Sequence, residues 1–352
     1  MSETSETIRL GFVGLRNIGM NHLRIAARLP GITVAAVSDT DDERLDAACA
    51  AAEGPVERCG SADDLIADDS IDGVVLAVPN HLHAPMAMAA MSAGKHVLVE
   101  KPMAMNPAEG RDMIRVRDAT GRVLMPGMNQ RFAATHAAAQ KKIARGAIGE
   151  VQQCHTRWVL DRPFEGLWDR GDWFLSSDTS GGGPLIDLGI HRLDLALYLT
   201  GKRRVVSVMG TTTYGVGREI AAKRGKTYEL EDYAFGLVQF DDGTMMTVEA
   251  SYFLNRPGKV RETRVIGTKG AVHLADSAEI TSWSGDTAET ATLEPDTETA
   301  TSCVEHFCRV LRNEEGLIPT ADEGLLGLAI VDAIYRSAEA GRSVEAMDTV
   351  RT

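Results

Sequence analysis

The sequence predicts an α/β protein in two parts: a doubly wound parallel sheet over residues 1–128, then an α/β domain over 129–352 with a large, mostly antiparallel sheet. Two observations carry this. From Ile8 to about Met128, short apolar runs alternate with helical stretches, the rhythm of a parallel sheet covered on both faces. Past Asn129 the rhythm gives way to strand-like segments joined by hairpin signals such as Asp241-Asp242-Gly243 and Thr268-Lys269-Gly270. A chain of 352 residues is long enough for two cores.

In order, Ile8–Val13 reads as a strand, Gly19–Leu29 as a helix and Thr33–Ser38 as a second strand. A helix over Asp41–Ala52, a buried strand at Gly73–Val78 and a helix over Ala84–Ala93 closed by Gly94 follow. His96–Val99 is a strand, Asn106–Thr120 a helix and Val123–Pro126 a strand. In the second part, Val151–Leu160, Val205–Tyr214, Tyr233–Phe240, Thr244–Ser251, Arg261–Ile266 and Ala271–Leu274 are the strands. Asp187–Leu199 is a helix on one face of their sheet, and Val304–Arg312 and Ala321–Ala340 are closing helices.

Composition narrows the function. Hydrophobic residues at 44% and charged residues at 25% are ordinary for a soluble globular protein. The net charge of −13 argues against nucleic acid or an anionic membrane as partner. The five cysteines are scattered and form no Cys-x-x-Cys pair, which fits reduced thiols rather than disulfides or a zinc site, so no metal is expected. The polar, acidic start from Met1 to Thr7 lacks the features of a targeting peptide, and no apolar run reaches membrane-spanning length. The expected location is the cytoplasm.

Gly14-Leu15-Arg16-Asn17-Ile18-Gly19 follows a strand and opens a helix, the context in which a glycine-rich turn brings backbone amides to a pyrophosphate. The first and third glycines are present, and Arg16 replaces the second. Asp39 ends the second strand about twenty residues on, where a carboxylate binds a ribose 2′-hydroxyl and repels a 2′-phosphate. That favours NAD and leaves NADP possible, since Arg16 attracts phosphate. The other reading of Asp39 is a cap for the next helix. Pro79-Asn80-His81-Leu82-His83 lies at a strand's carboxyl end, where ligands of open parallel sheets bind. Pro79 shapes the turn, Asn80 and His83 are candidates to touch the nicotinamide half, and Asn80 also suits capping the following helix.

The strand at His96 ends on Glu100-Lys101-Pro102, and the second part carries Gly181-Gly182-Gly183-Pro184-Leu185-Ile186-Asp187-Leu188-Gly189-Ile190-His191. Asp187 and His191, four apart, share one helical face. Lysine, imidazole and carboxylate together suit the deprotonation of an alcohol. His191 is the candidate proton acceptor, with Asp187 orienting it or holding a neighbouring hydroxyl. Lys101 is the donor that stabilises developing alkoxide charge. Glu100 and Lys101 are also candidates for the cofactor side. Arg157, Trp158, Asp161, Arg162, Trp168, Asp169, Arg170, Asp172 and Trp173 crowd the region before the glycine run. Aromatic faces beside charged groups bind sugars, so Arg157, Trp168 and Trp173 are substrate candidates, with loop anchoring as the other reading of the tryptophans. Asp194 reads as structural support.

Taken in order, these segments, with Asn129-Gln130-Arg131-Phe132, Gly146-Ala147-Ile148-Gly149-Glu150 and Gly267-Thr268-Lys269-Gly270, resemble the glucose–fructose oxidoreductase / inositol dehydrogenase (Gfo/Idh/MocA) family along nearly the whole chain. The resemblance implies a Rossmann domain and a second domain whose open sheet joins subunits, so a homodimer or homotetramer is expected. It implies hydride transfer between NAD(P) and a hydroxyl-bearing carbon of a sugar, inositol or related polyol. Lys101 is carried over as the catalytic lysine, and Asp187 and His191 as the acid/base pair. Arg131 enters as a pocket candidate only through this resemblance. Two other functions remain open: an enzyme that cleaves glycosides by transient NAD-dependent oxidation of a ring carbon, and a non-catalytic NAD-sensing regulator.

Overall fold

The structure, a computed structural model, describes residues 7–161, 165–255 and 257–345, and Arg162 falls outside them. It comprises two compact units. The first begins β1 (Ile8–Val13), α1 (Asn17–Ala26), β2 (Ile32–Ser38), α2 (Asp42–Ala51), β3 (Glu57–Arg58) and α3 (Ala62–Ala67). It continues β4 (Gly73–Leu76), α4 (His83–Ser92), β5 (His96–Glu100), α5 (Pro107–Thr120) and β6 (Leu124–Gly127). All neighbours in the sheet are parallel, in the order β3-β2-β1-β4-β5-β6. Central strands are near-continuous apolar runs because helices cover both faces, and Leu10, Phe12, Val74, Leu76, Val97 and Val99 are fully buried. Local chemistry starts and stops the helices. Asp41 accepts from the Glu43 and Arg44 amides, Asn106 from the Glu109 amide, and Gly121 closes α5 in the left-handed conformation. Strand order reverses between β1 and β4, which makes their carboxyl ends the switch point where such sheets bind ligands. β3 and α3, two and six residues long, carry too little periodicity to be read in advance.

The second unit holds α6 (Ala134–Ala144), β7 (Val151–Asp161), α7 (Ser177–Ser180), α8 (Ile190–Thr200), β8 (Val205–Thr213) and α9 (Val216–Lys223). Then come β9 (Tyr233–Phe240), β10 (Met245–Leu254), β11 (Val260–Gly267), β12 (Gly270–Leu274), β13 (Ala278–Ser284) and β14 (Thr287–Thr292). Its eight strands run β14-β13-β12-β11-β7-β10-β9-β8, antiparallel except where β7 meets β10. Helix α8 packs on one face, against β7 and β11. β13 and β14 carry no strand signal in the sequence because their outward residues are mostly polar.

The chain closes with α10 (Cys303–Leu311) and α11 (Ala321–Ala340). The division differs from a single cut after residue 128, because Ala300–Gly324 belongs to the first unit and the chain from Leu325 to the second. The reason is the apolar face of α10. Val304, Phe307 and Cys308 are buried, α10 packs on α1, and the Phe307 ring lies where a Cβ on Gly73 would meet it at 3.3 Å. Among the described residues, no helix is long and apolar enough to cross a membrane.

Candidate active site

In the first unit the dinucleotide fingerprint is built by close approach. Gly14 has φ +84°, and a Cβ there would lie 2.3 Å from the Ala77 carbonyl oxygen. A Cβ on Gly19 would lie 1.9 Å from the carbonyl oxygen of Gly14. Both glycines are therefore required for α1 to start against β1 and β4. Arg16 is the N-cap of α1 and makes no side-chain cap. Arg16 and Asn17 are exposed, as is the apolar Ile18, so the second fingerprint position accommodates a side chain by turning it outward. A helix start without a side-chain cap, beside an exposed apolar residue, fits the pyrophosphate of a dinucleotide.

Asp39 sits at the end of β2 as expected, but the cap of α2 is Asp41. The Asp39 carboxylate accepts from the Leu15 amide at 2.6 Å and the Asp41 amide at 3.0 Å, with Arg44 at 3.4 Å. It thus braces the fingerprint loop. Asn80 opens a 3-10 turn over Asn80–Leu82 and is buried, while Pro79 is half-buried.

Two residues expected on the cofactor side lie in the interior instead. His83 is 1% exposed, with Nδ1 2.6 Å from the Pro102 carbonyl oxygen and Nε2 2.9 Å from that of Val78. Burial pushes its pKa down, against the pull of the two carbonyls. Glu100 is buried beneath the strand end, 2.8 Å from His22 Nε2, and its other oxygen accepts from the Lys101 amide at 3.2 Å. An alternating strand points one side chain inward and the next outward. Lys101, the next residue along, is half-buried.

In the second unit, Asp187 lies in a π-helical turn, Leu185–Gly189, and His191 in the first turn of α8. Such turns are rare and concentrate at functional sites. The turn is held from below by Glu231, which accepts from the Gly183 amide at 2.9 Å, the Leu185 amide at 3.2 Å and the Tyr335 hydroxyl at 2.8 Å. A Cβ on Gly183 would come within 2.7 Å of the Glu231 carbonyl oxygen, so glycine is needed there.

Asp187 Oδ2 accepts from the Tyr252 hydroxyl at 2.8 Å and from Arg170 Nη1 at 2.9 Å. Burial and the neighbouring carboxylate drive the Tyr252 pKa far up, so its hydroxyl keeps its proton and donates. Burial works against the charge on Arg170, and Asp187 outweighs it and raises the guanidinium pKa. The carboxylate is therefore an anchored acceptor. His191 is half-buried, its ring centroid 5.9 Å from that of Trp158, over which Arg261 also lies. Tyr252 has a signal in the strand alternation of β10. The Glu231 brace has none, since nothing local pairs it with Gly183.

Four substrate candidates end up in other roles. Arg131 is 1% exposed and binds Asp194 through two hydrogen bonds, at 2.9 and 2.6 Å, which makes Asp194 the structural partner it was expected to be. Arg157 pairs with Glu262. Its neighbour Thr156 faces α8, approaching the Arg192 carbonyl at 3.3 Å, so strand alternation turns Arg157 to the opposite face, away from His191. Trp168 is buried in a cluster with Tyr228, Tyr252 and Phe253. Trp173 packs at the edge of that cluster, against Phe174. Both tryptophans anchor the loop ahead of the glycine run, the second of the two readings.

Residues 8–128 match the family described as "Oxidoreductase family, NAD-binding Rossmann fold", and residues 136–273 match "GFO/IDH/MocA C-terminal domain". The chain is 30% identical to D-glucoside 3-dehydrogenase of Escherichia coli over 78% of its own length and 79% of that protein. It is 26% identical to scyllo-inositol 2-dehydrogenase (NAD(+)) of Bacillus subtilis over 96% of each chain. Among solved structures it is similar to an NAD-binding protein from Listeria innocua, with TM-score 0.80 and 25% identity over 97% of each chain.

Proposed function

Because the chain belongs to the Gfo/Idh/MocA family of NAD-binding oxidoreductases, we propose that His191 and Lys101 handle the hydroxyl proton and oxygen while a sugar, inositol or derivative exchanges a hydride with NAD. The anchored Asp187 carries this reading. Two donors fix its carboxylate, so the residue one turn on, His191, is the group in this unit suited to move a proton near neutral pH. Asp187 holds a second substrate hydroxyl or sets the imidazole's orientation. Lys101, at the carboxyl end of β5, donates to the reacting oxygen and stabilises the alkoxide. Gly14, Arg16–Gly19 and Asp39 would hold the dinucleotide, and its nicotinamide supplies the hydride chemistry. Asp39 favours NAD over NADP.

We further infer a homodimer or homotetramer, in the cytoplasm. The sheet face opposite α8 exposes Met209 and Met245, apolar groups that a second copy would cover.

The deciding experiment follows reduced-nicotinamide absorbance with purified protein, NAD or NADP, and a panel of D-glucosides, free sugars and inositols. Growth of NADH with one polyol supports the proposal and identifies the substrate class. Cleavage of a glycoside with no net NADH overturns it in favour of transient oxidation. Cofactor binding with neither product favours a regulator.

A further inference from the structure

Two buried histidines flank the Lys101 turn without belonging to the reacting groups. His22, in the middle of α1, is 1% exposed and lies 2.8 Å from Glu100 Oε1. Glu100 Oε2 accepts from the Lys101 backbone amide. On the far side of the turn, His83 at the start of α4 meets the Pro102 and Val78 carbonyl oxygens. Residues 100 and 102 are thus held by buried histidines from two helices, α1 and α4, and the Lys101 amide is held by the Glu100 side chain.

The surroundings make the contacts specific. Burying a carboxylate is costly without a donor on each oxygen, and Glu100 has the imidazole on one and the amide on the other. Burial alone would discharge His22, but Cys303, whose Sγ is 4.0 Å from both ring nitrogens, and the Glu100 carboxylate hold its pKa up at about 10. Gly127 on β6 leaves the room required: a Cβ there would sit 3.0 Å from Glu100 Oε1.

We propose that His22, acting through Glu100, and His83, acting through the Pro102 carbonyl, form a clamp that positions Lys101. The proposal rests on the assignment of Lys101 as the group that stabilises the alkoxide. His22 and His83 are positioning residues, because they touch the lysine's backbone neighbours rather than the reacting atoms. A lysine has four side-chain torsions, so an aim accurate enough for catalysis starts from a fixed backbone.

Glu100→Gln is the informative variant. It is isosteric, yet one acceptor oxygen becomes an NH2 donor, so in place the side chain presents a donor to either His22 or the Lys101 amide. Hydrogen exchange at the Lys101 amide should become about tenfold faster, matching the loss of a charged acceptor. His22→Gln should do the same, and His83→Gln should loosen the 100–102 turn. Turnover on the polyol identified by the panel should fall about 10²-fold, while the NADH dissociation constant, read from NADH fluorescence, stays within about threefold.

The double variant Glu100→Gln/Lys101→Ala should turn over no more slowly than Lys101→Ala alone, because the clamp acts only through that lysine. A merely structural role would make the two losses add. Gly127→Ala, which crowds Glu100 from β6 without removing any polar group, should give a smaller loss of the same kind, and it serves if the histidine variants fail to fold. If exchange at Lys101 and turnover stay unchanged in Glu100→Gln while Lys101→Ala is inactive, the clamp is overturned and the role of Lys101 stands. If Lys101→Ala keeps near-normal turnover, the assignment of Lys101 falls and the clamp's catalytic purpose with it.

Discussion

The two units hold their chemical residues by opposite means. In the first, Lys101 is placed by its backbone, with buried partners on residues 100 and 102. In the second, the Asp187 carboxylate itself is gripped, by Tyr252 and Arg170, within a π-helical turn whose entry Glu231 braces at the Gly183 and Leu185 amides. A long flexible cation is aimed by fixing where its chain begins, whereas a short acid can be fixed at its tip. Mutations should therefore act differently in the two places.

The sharpest comparison is at the proposed reacting groups. Lys101→Ala or His191→Ala should each lower turnover about 10²–10⁴-fold, the range for losing a positioned proton-transfer group. Affinity for NADH should hardly change, and near-normal turnover in both variants would defeat the mechanism. Next in size comes a purely structural loss in the second unit. Asp194→Ala removes the carboxylate paired with the buried Arg131 and should cost about 3–5 kcal/mol of stability in denaturant unfolding. Tyr252→Phe should be milder, at roughly 1.5–3 kcal/mol for a hydrogen bond to a charged group. It should also lower turnover, because Asp187 loses one of the two donors that fix its carboxylate.

Acid and base separate the units again. His22 is raised to about 10 from 6.5, so the stability it contributes is complete below about pH 6.5 and is lost as pH climbs through 10. His136, on α6, is lowered to about 4, first by burial and then by Arg192 and Arg261. It stays neutral in the fold, so the unfolded chain binds the extra proton and stability falls as pH drops from 6.5 towards 4. All four tryptophans lie in the second unit, so their fluorescence should report the acid limb, and hydrogen exchange in β5 the alkaline one. His22→Gln should remove the alkaline limb alone. The smallest effect belongs to Arg157→Ala, which should leave turnover within about twofold because its side chain lies on the sheet face opposite α8.

Much of the molecule was legible in advance. Glycines at 14 and 19, an acid closing β2 and the strand end at Glu100 are local signals, because backbone approach and side-chain direction depend on residues close in the chain. So are the capped helices and apolar strands of the parallel sheet, whose periodicity needs no partner to be seen. The errors share another cause. Arg131, Arg157, Trp168, His83 and Glu100 have the chemistry of ligand-binding groups, and only long-range partners decide whether that chemistry faces inward. Asp194 lies 63 residues from Arg131 and Glu262 105 from Arg157, while Ala300–Gly324 joins the first unit across an entire second one. By itself the sequence determined which residue types stand at which turns, since those are steric demands met within a few residues. Tertiary structure alone decided which polar groups are spent on each other, since a buried charge is settled by whatever partner the fold brings to it.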